Sequence, residues 1–79
     1  MRVFENEKME VGVNETHVIV YYNDEIKVID RKTCKEVNND SLLRNLMDEA
    51  ESIDVAESFE VMPQDVTTLL RKLYSKGDE

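Results

Sequence analysis

The chain carries little that would interrupt or cross-link a fold: one cysteine, one proline, two glycines and no tryptophan in 79 residues. A lone Cys34 excludes an internal disulfide and suits a reducing compartment. Gly12, Gly77 and Pro63 are too few and too scattered to make a flexible linker, so a single domain covering residues 1–79 is expected. No apolar run approaches the roughly 18 residues needed to span a bilayer, so no membrane partner is expected. The opening MRVFENEKMEV has no apolar stretch of the kind that directs secretion, which makes the cytoplasm the expected location. Positive charge is also scarce, with 10 Lys and Arg against 18 Asp and Glu, a net charge of -8 that works against contact with nucleic acid. A chain this small buries only about 60% of its unfolded surface, which leaves little core in which to set a deep catalytic cavity.

What is present is pattern. Apolar residues make up 41% of the chain and are interleaved with charge throughout, as in a folded domain rather than a disordered one. The first half alternates. Val3-Phe4 is a short apolar pair, and Met9, Val11 and Val13 alternate with Glu10 and Gly12 at the period of a half-buried strand. Thr16–Tyr22 is β-branched and aromatic on both faces, which predicts a central strand covered from two sides. Asn23-Asp24 tolerates the positive φ of a two-residue turn, and Glu25–Asp30 returns from it. Asp30-Arg31-Lys32-Thr33 turns again, after which Cys34–Val37 is expected to add a short edge strand.

At Asn38-Asn39-Asp40-Ser41 the period changes, with four good helix N-caps in a row. Leu43, Leu46, Met47 and Ala50 then fall on one helical stripe. Ser52 is expected to cap a second, short helix that points Ile53, Ala56 and Phe59 inward. Pro63 suits a first helical turn, and Val66, Leu69, Leu70 and Leu73 form the strongest helical ladder in the chain, closed by Gly77 as a C-cap. The expected fold is α+β: an N-terminal antiparallel sheet of three or four strands (residues 1–37) followed by three helices (residues 40–77).

The stretch Ala56-Glu57-Ser58-Phe59-Glu60-Val61-Met62-Pro63-Gln64-Asp65-Val66, running on to Leu69-Leu70, resembles the helix-turn-helix of winged-helix proteins. Two positions depart from that pattern: Glu60 stands where the turn usually has glycine, and Met62 where a Ser or Thr cap is usual. The resemblance implies a transcription regulator that reads DNA through Gln64, Thr67, Thr68 and Arg71. Electrostatics weigh against that use, because residues 40–62 hold seven acids and one base, and Asp54 and Glu57 would face the phosphates. The order of strands before helices is similar to leader-peptide recognition elements, typified by the peptide chaperone of pyrroloquinoline quinone biosynthesis. That likeness implies a partner peptide added as a strand along Cys34, Lys35, Glu36 and Val37 and resting on Thr67, Thr68 and Arg71.

No catalytic constellation stands out. His17 has no second His or Cys at ligand spacing, so it takes a structural or surface reading. Cys34 has no histidine near it in sequence to activate the thiol. The acids from Asp48 to Glu60 fit no calcium loop and make a solvated face, so no metal or cofactor is expected. There is no phosphate-cradling glycine loop or nucleophile elbow. The leading expectation is a non-catalytic regulator that binds a protein or peptide through its last helix, the neighbouring sheet edge and an acidic surface at Asp54 and Glu57. A winged-helix DNA reader is the alternative.

Overall fold

The computed structural model describes residues 1–74. Four antiparallel strands, β1 (Arg2–Glu5), β2 (Met9–Val13), β3 (His17–Tyr22) and β4 (Glu25–Asp30), form a sheet in the order β1-β2-β3-β4. Two α-helices follow, α1 (Asp40–Glu51) and α2 (Gln64–Tyr74), with a single 3-10 turn at Phe59–Val61 between them. The α+β class and the strands-first order agree with the sequence pattern.

Turn chemistry sets the register. Asn23 and Asp24 adopt φ of 56° and 64°, the left-handed pair that joins two strands without splaying them, so Tyr22 pairs with Glu25 and Val18 with Ile29. In the β2–β3 loop the Asn14 side chain accepts from the amides of Thr16 and His17 at 2.8 and 2.7 Å. With the register fixed, alternate residues of β3 point to opposite faces. Val18 and Val20 join Phe4, Val11, Val13 and Ile29 beneath Met62, Val66, Leu69 and Leu70, which places α2 on one face. Ile19 and Val28 pack with Leu46 and the half-buried Leu42, Leu43 and Met47, which places α1 on the other. Phe4, Val11, Val18, Val20 and Val66 are fully buried, and burial of each apolar side chain of this size contributes about 1.5–3 kcal/mol.

Three expectations need correction. The second helix is absent among the described residues: α1 ends as Ile53 N–H bonds the Ala50 carbonyl, and residues 53–58 are not helical. The span between Ser52 and Ser58 is too short to sustain a helix without tertiary support. The support it finds is the open edge of β1 instead. Glu57 N–H donates to the Val3 carbonyl at 2.7 Å and Glu5 N–H to the Glu57 carbonyl at 3.0 Å. With α1 and α2 on opposite faces, no trihelical corner is built. Glu60 does not take the left-handed turn position; it sits in the 3-10 turn, its amide capped by the Ser58 hydroxyl at 3.1 Å. Cys34–Val37 does not extend the sheet as a full strand but touches β4 through one bridge, Ile29 to Glu36. The Gly77 cap lies outside the described residues.

Gly12 sits mid-strand on the α1 face, and a Cβ there would stand 2.9 Å from both Ile19 Cγ2 and Met1 Sδ. Met1 can swing aside; Ile19, packed between sheet and helix, has no such freedom. Gly12→Ala is expected to cost about 1–3 kcal/mol through overpacking, read as a fall of several degrees in the thermal midpoint by circular dichroism.

Candidate functional site

The residues singled out from sequence fall into three separate places. The first is the outer side of α2. Gln64 and Thr68 are exposed, whereas Thr67 and Arg71 line a shallow groove of about 340 Å³. Its other walls come from the β1–β2 hairpin (Asn6, Lys8, Met9), from Tyr22, and from Phe59, Met62, Leu70 and Tyr74. The helix repeat puts Thr67 and Arg71 one turn apart on the same flank. The Thr67 hydroxyl donates to the Pro63 carbonyl at 3.2 Å, so its methyl rather than its oxygen is left for the groove. At the far end, the Tyr22 and Tyr74 rings meet edge to face at 4.9 Å and 65°, and the Lys27 ammonium stands 5.7 Å over the Tyr74 ring. Burial, then the charges of Glu25 and Glu36, raise the Tyr74 phenol above its ordinary pKa, so it stays neutral. The result is an apolar, aromatic and methionine-lined trough with Lys8 and Arg71 at its rim.

The second place is the outer edge of β4. The Lys35 carbonyl accepts from Asp30 N–H at 2.9 Å, and Val37 N–H donates to the Val28 carbonyl at 2.8 Å. Cys34, Lys35 and Glu36 are exposed and Val37 is half-buried. Cys34 takes a φ of 62° as the chain leaves the turn, a conformation costing a residue with a Cβ about 1 kcal/mol. Its amide is bonded to the Asp30 carbonyl at 2.7 Å. This segment already occupies the Val28–Asp30 half of the edge, and it does not line the α2 groove.

The third place is the extended link. Asp54 is exposed, but Glu57 is tied down: Arg2 Nε and Nη2 donate to its two carboxylate oxygens at 3.0 and 2.8 Å. The Arg2 hydrogen bonds, then its charge, hold the Glu57 carboxyl below the usual range. Glu57 thus closes the β1 edge with both backbone and side chain, a contact across 55 residues of sequence that periodicity does not reveal.

Residues missed from sequence matter as well. Arg31 donates to the Asn14 carbonyl at 2.7 Å and, through two nitrogens, to both Asp65 oxygens at 3.1 and 3.0 Å. It thereby pins the first turn of α2 against the loop end of the sheet. The broad polar dish of about 610 Å³ beside it is lined by two guanidiniums, and both are engaged: Arg2 with Glu57 and Arg31 with Asp65. The Arg31-to-Asp65 pairing carried no local signal. His17 has its Nδ1 2.8 Å from the Thr16 hydroxyl, and among the described residues no group of three His, Cys, Asp or Glu side chains is arranged to hold a metal ion. No described helix is long and apolar enough to cross a membrane.

Asp30 caps the turn into Cys34, accepting from the amides of Thr33 and Lys32 at 3.0 and 2.8 Å, and these bonds hold its carboxyl below the ordinary value. A depressed folded pKa stabilises the fold above the unfolded carboxylate range, and that contribution is lost as pH falls through the folded value. Asp30→Asn keeps an acceptor and removes the titration. Urea midpoints measured from neutral to acid pH are expected to fall less steeply for this variant than for the wild type.

The chain matches no family model, no curated protein and no solved structure.

Proposed function

We propose that this protein is a non-catalytic module that binds a protein or peptide partner in the groove beside α2. The observation that carries the reading is the meeting of Thr67 and Arg71 with Met9, Tyr22, Phe59, Leu70 and Tyr74 in one trough with an apolar floor and a cationic rim. Aromatic and methionine side chains offer large, adaptable contact area for anchoring side chains of a partner. Lys8 at the rim fixes orientation by pairing with a carboxylate or a backbone carbonyl of that partner. Openness to solvent along its length suits a chain segment better than an enclosed small molecule. Among the described residues no backbone bond covers the outer edge of β4 at Ile26, which gives a second contact for an extended segment by strand addition.

A winged-helix mode of DNA reading draws less support. Gln64 and Thr68 stand apart from the groove, and the supporting surface keeps its acidic excess.

A pull-down from the native host at low and high salt is expected to return a discrete protein. A Thr67→Arg variant, shown to be folded by circular dichroism, is expected to lose at least about tenfold of that protein's affinity by blocking a buried contact. Retention of full affinity by Thr67→Arg overturns the assignment of the groove. Duplex DNA shifted in a gel by the wild type and released by the Arg71→Glu/Lys72→Glu double variant replaces this reading with the DNA one.

A further inference from the structure

Helix α1 covers only part of its sheet face. Its apolar stripe lies over Ile19 and Val28; of the neighbouring row Glu10, Tyr21 and Ile26 in the strand register, Ile26 packs against this cluster while Glu10 and Tyr21 stay exposed. Tyr21, on an interior strand where neighbours normally bury an aromatic ring, is 48% exposed. Between this row and the flank of α1 runs a groove of about 220 Å³, floored by Val3, Gly12 and Ile19 and walled by Met47 and Ala50. It is separate from the α2 groove, on the opposite face of the sheet.

The charges around it are set against local stability. Glu5 and Glu10 are direct cross-strand partners, a like-charge pair that works against the local pairing. The last turn of α1 holds Asp48, Glu49 and Glu51 and no base, although the negative end of a helix favours cations. Glu10 and Glu51 both line the groove. The helix's one base, Arg44, stands two turns before Glu51. Arrangements that break local rules without a compensating contact are where binding surfaces are found.

We infer that this groove is a docking site for a basic amphipathic segment of a partner protein. Apolar anchors of the segment would seat against Tyr21, Val3 and Met47, and its Lys or Arg residues would meet Glu10, Glu51 and Glu5. Charge complementarity selects this occupant. A second copy of the chain would bring the same acidic excess, and nucleic acid or an anionic lipid surface would be repelled by it. The volume, below the roughly 300–1,000 Å³ of small-molecule sites, fits anchoring side chains better than a cofactor. The inference is independent of the α2 groove.

The test uses synthetic amphipathic peptides of Leu and Lys, and of Leu and Glu in the same order, with the full chain. Fluorescence anisotropy is expected to give binding of the Leu/Lys peptide at least about tenfold tighter than of the Leu/Glu peptide, weakening as salt screens the pair. Amide shift changes in nuclear magnetic resonance spectra are expected at Val3, Gly12, Tyr21, Met47 and Ala50. The double variant Glu10→Lys/Glu51→Lys is expected to lose about tenfold or more in affinity for the Leu/Lys peptide. Glu15→Lys/Glu60→Lys, with the same change in net charge at exposed positions outside the groove, is expected to lose little. Equal losses in the two double variants, shifts centred on Thr67 and Arg71, or no preference between the peptides would each overturn the proposal.

Discussion

A sheet that is apolar on both faces can be buried only if something lies on each, and the described residues supply two α-helices with which to do it. Having laid α1 on one face, the chain has to round an edge of the sheet before α2 can cover the other. Residues 53–58 make that passage, and they make it along β1. The same stretch that carries the chain across supplies the hydrogen bonds that the β1 edge would otherwise lack, with Glu57 joined to Val3, Glu5 and Arg2. At the opposite edge, Lys35 and Val37 do the same for part of β4. Short covers of this kind blunt the tendency of exposed strands to pair with other chains.

The two faces are covered unequally, and that inequality gives the molecule its surfaces. On the α2 face the buried ladder of Val66 with Leu69 and Leu70 is held in place at the helix start by the Arg31-to-Asp65 fork. A trough is left where α2 passes the β1–β2 hairpin near Met9 and Tyr22. On the α1 face the single buried helix residue is Leu46, and Tyr21 is left half uncovered. The rims differ in sign as well as depth: Lys8 and Arg71 border one groove, Glu10 and Glu51 the other. This pair of apolar troughs, with differently charged residues at their rims, carries the two binding proposals.

Much of this was legible in the residues. The period-two runs from Met9 to Asp30, the Asn23-Asp24 turn and the apolar stripes of both long helices all appear where local pattern places them, because each is decided by neighbours within a few residues. Thr16–Tyr22, apolar on both sides, already implied a strand with a layer above and below. The failure at Ile53–Phe59 has an equally plain cause. Apolar spacing there is compatible with a helical turn, but the deciding partner is the unpaired backbone of β1, some 55 residues away. Arg31 and Asp65 were unreadable as a pair for the same reason: an ion pair across 34 residues leaves no period in the sequence.

By itself, then, the amino-acid order determined the main strands, the two long helices, the Asn23-Asp24 turn and the net charge, since propensity, capping and periodicity are short-range properties. Tertiary structure alone decided which face each helix covers, how the chain gets from one to the other, and which side chains share a groove. Those outcomes depend on hydrogen-bond donors and apolar surface that meet only after the sheet has formed, so Thr67 came to stand beside Met9, and Tyr21 beside Met47, by packing rather than by spacing.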